Sequence, residues 1–132
     1  MMSQENIEIV RAAYQSFNRT HELDVDAFQP NIEWHTRDDL PDSGTHRGYA
    51  GVAQLFSSWV EAFEDLRVDP EELIDADDLV VAVVRLRGRI RDSGHDVEME
   101  ETHVWRHLDG KATEVREYQT KAEALKAVEL KA

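Results

Sequence analysis

Cysteine is absent from the chain, which excludes disulfides, thiolate nucleophiles and thiolate metal sites together. Positive charge is scarce: 15 lysines and arginines stand against 28 aspartates and glutamates, a formal charge of -13. Such a chain is repelled by phosphate backbones and anionic lipid, so neither nucleic acid nor membrane is an expected partner. The acidity itself reads as solubility. No long apolar run occurs, and the opening MMSQENIEIVRAAY carries acid early, so it reads as neither signal peptide nor anchor and a cytoplasmic protein is expected. Three prolines and six glycines fall at element ends, with no repeat, low-complexity tract or linker, and 132 residues suit a single domain, 1–132. No nucleotide loop, redox motif or metal-ligand spacing is present, so no cofactor and no metal are expected.

The most informative stretch is Val97 to Gly110, VEMEETHVWRHLDG. As a strand it places Val97, Met99, Glu101, His103, Trp105 and His107 on one side, and Glu98, Glu100, Thr102, Val104 and Arg106 on the other. The first side is the expected interior. A carboxylate and an imidazole beside Met and Trp are costly there unless they are paired or face a cavity. Asp109-Gly110 then turns the chain into a partner strand, Ala112 to Gln119.

Elsewhere the periodicity gives a first helix capped by Ser3, running to about Arg19, with Ile7, Val10, Ala13, Tyr14 and Phe17 on its apolar stripe. Asp24 to Phe28 reads as one helical turn closed by Pro30. Asn31 to Thr36 reads as a short strand, with Ile32, Trp34 and Thr36 opposite Glu33 and His35. His35 has no neighbour at metal or triad spacing and is read as an edge residue. Arg37 to His46 has the turn chemistry of a loop that can cover a cavity, and its Asp38, Asp39 and Asp42 with His46 read as solvated charge.

Val52, Leu55, Phe56, Trp59 and Phe63 predict a helix over 51–65. Extended chain follows from Leu66 to Ile74, with an edge or bulge at Pro70, then a strand from Leu79 to Ile90 in which Gly88 is a candidate bulge. Arg85, Arg87, Arg89 and Arg91 form a basic row expected to pair with Glu98 and Glu100 or with a second subunit. Lys121 to Leu130 returns to helix through Ala124, Leu125 and Val128. The order is α+β, with helices gathered on one face of an antiparallel sheet.

The phrases ENIEIVRAAYQSFNR, NIEWHTRDDLPDSGTHRGYAGV, HVWRHLDGK and KAEALKA, in this order, resemble the SnoaL-like branch of the nuclear transport factor 2 fold. That branch includes polyketide cyclases, ketosteroid isomerases and limonene epoxide hydrolases. The resemblance implies a strongly curved antiparallel sheet folded over N-terminal helices into a conical, largely apolar cavity, usually in a homodimer, here through the outer sheet face. It places the isomerase phenol on Tyr14 and the oxygen-binding acid on His103, or on Thr102 with a hairpin one residue longer. The isomerase's proton-shuttling aspartate falls near Thr36, which cannot act as that base, so steroid-type isomerisation is not expected.

The acid–base candidates are therefore Tyr14, Glu101, His103 and Glu117, the last joined because Thr113, Val115, Glu117 and Gln119 share a parity. Glu101 and His103, two apart on one strand face, have backbones roughly 7 Å apart, so their pairing depends on rotamers. Trp34, Thr36, Phe56, Trp59, Met99 and Trp105 are the candidate ligand wall. Three functions fit these residues: proton-transfer chemistry on a small apolar carbonyl-type or polyketide-like compound, non-catalytic binding of a small hydrophobic molecule, and a dimeric assembly module working through its outer face.

Overall fold

The structure is a computed structural model describing residues 2–37 and 44–131. The loop residues Asp38, Asp39, Pro41, Asp42 and Ser43, expected to cover a cavity, lie outside the described residues. The elements in order are α1 (Met2–Thr20), a 3-10 turn (Val25–Ala27), β1 (Phe28–His35), β2 (Thr45–Arg47), α2 (Gly48–Ala62), β3 (Phe63–Ala76), β4 (Leu79–Ile90), β5 (Asp96–Leu108), β6 (Lys111–Tyr118) and α3 (Lys121–Lys131).

Helix α1 forms because its apolar residues recur at helical spacing, and Val10, Ala13, Tyr14 and Phe17 are buried along one stripe. It already includes Met2, so Ser3 lies inside the first turn instead of capping it. It ends where His21 adopts φ 59 and its N–H bonds back to the Phe17 carbonyl at 2.7 Å. Asp24 caps the single turn that follows, its side chain accepting from the Asp26 N–H. Pro30 does not close that turn. It lies inside β1, in the stretch between Phe28 and Glu33 where the register against β6 shifts and no regular ladder hydrogen bond is required of it.

Helix α2 starts and stops three residues before the predicted range. Phe63, which fits the helical period, instead opens β3 opposite Ile90, because sheet pairing overrides the local pattern. The bulge expected at Gly88 belongs to its neighbour: the β3 register shifts between Glu64 and Arg67, where Asp65 takes φ 53. A Cβ on Gly88 would stand 3.2 Å from the Phe63 Cβ, so the glycine admits the bulged strand. The expected irregularity at Pro70 is present as a second shift between Pro70 and Glu72. Asp109 and Gly110, at φ 52 and 78, make the two-residue turn between β5 and β6.

The sheet order is β2-β1-β6-β5-β4-β3. Helix α2 touches both β1 and β3, which lie toward opposite ends of this order, so the sheet curls around the helices. The main core fills the concavity between the inner sheet face, α1 and α2. Two features differ from the expected architecture. The pairing of β1 with β6 is parallel, and α3 packs on the outer face, where Ala124 is fully buried with Leu79, Val81 and Val104. Helix α3 also has an N-cap missed in the sequence: the Glu123 N–H donates to the Thr120 hydroxyl oxygen at 3.2 Å, and that hydroxyl donates to the Glu123 carboxylate at 3.1 Å.

Candidate functional site

Strand β5 keeps its parity through the middle of the sheet, so Glu101, His103, Trp105 and His107 all point inward and are buried. Thr102 is fully buried on the opposite face, which leaves His103 as the inward residue of that pair. From β6 comes Glu117, paired across the ladder with His103. From β1 comes Trp34, and from α1 comes Tyr14. The sheet thus gathers all four acid–base candidates at one place.

Their hydrogen bonds form a chain. The Trp105 indole N–H donates to the Tyr14 oxygen at 2.9 Å. Tyr14 Oη lies 2.7 Å from His103 Nδ1, and His103 Nε2 lies 2.7 Å from Glu101 Oε1. The second Glu101 oxygen accepts from Arg37 at 3.2 Å. Direct pairing of Glu101 with His103 follows from rotamers that turn both side chains toward each other across the pleat. With a neutral ring, the phenol proton goes to Nδ1 and the Nε2 proton to Glu101, so every site in the chain is matched.

Glu117 stands beside this chain. Its Oε2 accepts from the Trp34 indole N–H at 2.7 Å, and no cation pairs with it within 4 Å among the described residues. Burial therefore pushes the Glu117 carboxyl above the usual range, aided by the charge on Glu101, against the pull of His103. Burial also acts to raise Glu101, but His103 and Arg37 outweigh it and hold that carboxyl low. For His103 burial opposes the charged form, yet its bond to Glu101 and the charges of Glu101 and Glu117 raise it on balance. Burial keeps the Tyr14 phenol protonated well above its ordinary value, although the Trp105 donor works the other way.

These groups line a cavity of about 190 Å³. Of the candidate ligand-wall residues, Trp34, Phe56, Trp59, Met99 and Trp105 line this cavity. Thr36 does not: it is buried beside the cavity, where its hydroxyl exchanges hydrogen bonds with the backbone of Gly44. Trp34 touches Phe56, Trp59, His103 and Trp105 edge-on, with ring centres 5.2 to 5.9 Å apart, so the aromatic wall is a mutually braced unit.

Several wall residues were not legible in the sequence. Arg37 reads as the first residue of a polar loop, and its one sequence-level signal is that an inward carboxylate such as Glu101 needs a cation. Glu22 and Asp24, from the turn after α1, line the cavity where it meets solvent, and Phe63, Leu66 and Leu86 line its apolar body.

Glu101, His103 and Glu117 offer three ligand atoms within 4.8 Å of one another. Two of these groups already have partners within the protein, His103 Nε2 on Glu101 and Glu101 on Arg37. On the outer face, His35 is not a plain edge residue. It sits between Glu33 and Glu114, 3.4 and 3.5 Å from Nε2, with Thr45 Oγ1 2.9 Å from Nδ1. Arg47 and Arg116 meet the same carboxylates, so this cluster reads as ion pairing.

Comparison with known proteins agrees with the fold. A family model described as a SnoaL-like domain matches residues 10–115. No curated protein matches the chain. Among solved structures, the chain is similar to Bal32a from a soil-derived mobile gene cassette, at 20% identity and a TM-score of 0.81 over 97% of this chain and 98% of that one. It is similar to TerC, co-crystallised with polyporic acid, at 25% identity and 0.76 over 95% and 98%. An NTF2-like protein of unknown function from Burkholderia pseudomallei K96243 matches at 25% identity and 0.74 over 94% and 97%.

Proposed function

Because the chain belongs to the SnoaL-like family, we propose that its cavity binds a small, mostly apolar molecule bearing a carbonyl-type oxygen and moves a proton on it by acid–base chemistry. The observation that carries this reading is the Trp105–Tyr14–His103–Glu101–Arg37 chain standing beside Glu117 in the wall of one apolar cavity. The small-molecule part is further supported by TerC, which was crystallised with polyporic acid.

Both ring nitrogens of His103 are occupied, so it acts through Tyr14 and does not itself remove a proton from substrate. Once the ring is charged, Nδ1 donates to the Tyr14 oxygen. That oxygen then accepts from both His103 and Trp105, and the phenol O–H is turned to the ligand oxygen. Glu117, more basic than a surface carboxylate, takes the proton from the carbon beside the carbonyl. The C–H electrons form the enolate double bond, and the oxygen charge that develops is met by the phenol proton. Return of the proton from Glu117 to another carbon of the conjugated system completes an isomerisation, whereas attack of the enolate carbon on a second carbonyl carbon, with the proton passing to the oxygen of the opened C=O bond, completes a ring closure.

Deuterium exchange next to the carbonyl of simple ketones, followed by NMR in D2O, tests this. Exchange above the buffer rate is expected, falling about 10²-fold in Glu117→Gln and by about 10² to 10³ in Tyr14→Phe. Unchanged exchange in Glu117→Gln removes these roles. The fact that Tyr14, His103, Glu101 and Glu117 each have a partner within the protein also favours a second reading, a non-catalytic binder, which binding without any exchange would establish. A homodimer through the outer sheet face belongs to the same proposal.

A further inference from the structure

The cavity's size and the placement of its charges go beyond that reading to the class of molecule it takes. A cavity of about 150 Å³ accommodates benzene, whereas sites for larger ligands run from about 300 Å³ upward. At about 190 Å³ this one holds a single ring with a short substituent. It cannot widen freely, because Trp59 stacks on Phe56 at 5.2 Å and meets Trp34 edge-on at 5.8 Å, so moving one ring breaks contacts with the others.

Polarity is divided between its two regions. Tyr14, His103 and Glu117 are buried together, and the wall beyond them is apolar through Phe63, Leu66 and Leu86. At the rim stand Glu22, exposed, and Asp24, half-buried, neither of them in an ion pair among the described residues. The cation of the wall, Arg37, is held inside against Glu101. A ligand whose oxygen reaches Tyr14 therefore leaves any tail beside two carboxylates, which repel an anion and attract a cation.

We propose that the site takes a one-ring ketone that is neutral or carries a basic tail, with the Trp34–Phe56–Trp59 wall limiting ring number and Glu22 with Asp24 rejecting anionic tails. This rests on the carbonyl-binding reading above.

Calorimetric titration tests it with acetophenone, 4-acetylbenzoate, 4-acetyl-N,N,N-trimethylanilinium and a tetracyclic steroid dione. Acetophenone and the anilinium are expected to bind, with the anilinium at least about tenfold tighter than the benzoate at low salt. The gap is expected to shrink to within about threefold in the double variant Glu22→Gln, Asp24→Asn. The dione is expected not to bind the wild type. A benzoate affinity equal to that of the anilinium, or a dione affinity equal to that of acetophenone, overturns the inference. Acetophenone binding in the expected order without deuterium exchange removes the proton-transfer reading and leaves the ligand class standing. Failure of all four to bind removes both.

Discussion

His103 and His107 lie four positions apart on the same inward face of β5, yet their surroundings drive them in opposite directions. His103 has a carboxylate on one nitrogen and a phenol on the other, and its pKa is raised. Its favourable charge contributes stability that is fully present below the unfolded value and is lost as pH rises through the folded one. His107 stacks on Trp105 at 6.1 Å, and neither of its ring nitrogens has a hydrogen-bond partner among the described residues. Burial lowers it to about 4. The unfolded chain therefore binds the extra proton first, and stability falls as pH drops from about 6.5 toward 4. Allowing for solvent screening, the loss is about 2 kcal/mol. His107→Leu is expected to remove this acid slope and to raise stability at pH 7 by about 1 kcal/mol, since two unsatisfied nitrogens disappear. Urea unfolding at pH 5 and 7 checks it, with NMR titration showing His103 above and His107 below the ordinary imidazole value. An unchanged acid slope in the variant contradicts the assignment.

At the scale of elements, the site depends on β5 holding a strict alternation while both of its faces are covered. The inward side meets the cavity, and the outward Thr102 and Val104 are covered as well, Val104 beneath α3. Residues 79–90 are legible as β4 with no error because a branched run bounded by turns has one reading. The end of α2 is not, since Phe63 satisfies a helical period and a strand pairing equally and only the long-range partner Ile90 decides. Helix α3 poses the same problem: its stripe of Ala124, Leu125 and Val128 does not say which sheet face it covers, and in the fold Leu125 stays 38% exposed while Ala124 is sealed. Ala124→Asp is expected to undock α3 and lower stability by about 2 to 3 kcal/mol by burying an unpaired charge. Because no described residue of α3 lies in the cavity wall, acetophenone affinity in the folded variant should stay within about twofold. Circular dichroism and calorimetry read the two effects separately, and a stable variant with intact helix content counts against the docking of α3.

Across the whole molecule, the excess of acid is arranged unevenly. In the outward row Arg85 and Arg87 meet Glu98 and Glu100 as anticipated, whereas Arg85 also reaches Glu71, Arg89 pairs with Asp96, and Arg91 turns instead to Glu64 and the Val60 carbonyl; these pairs lie at the surface and each contributes little to stability. No helix among the described residues is long and apolar enough to cross a membrane. For the proposed homodimer, light scattering at micromolar concentration should return twice the 15.2 kDa of one chain, and a monomeric mass removes it. Composition and periodicity by themselves determined the α+β class, the inward parity of β5 and the identity of four polar candidates, because alternation and helical spacing are local properties written along the chain. Only the tertiary structure decided that Arg37 pairs with Glu101, that Thr36 bonds the Gly44 backbone instead of joining the wall, and that Glu22 and Asp24 line the cavity. Those facts arise where residues distant in sequence meet across a curled sheet, and no local pattern encodes such a meeting.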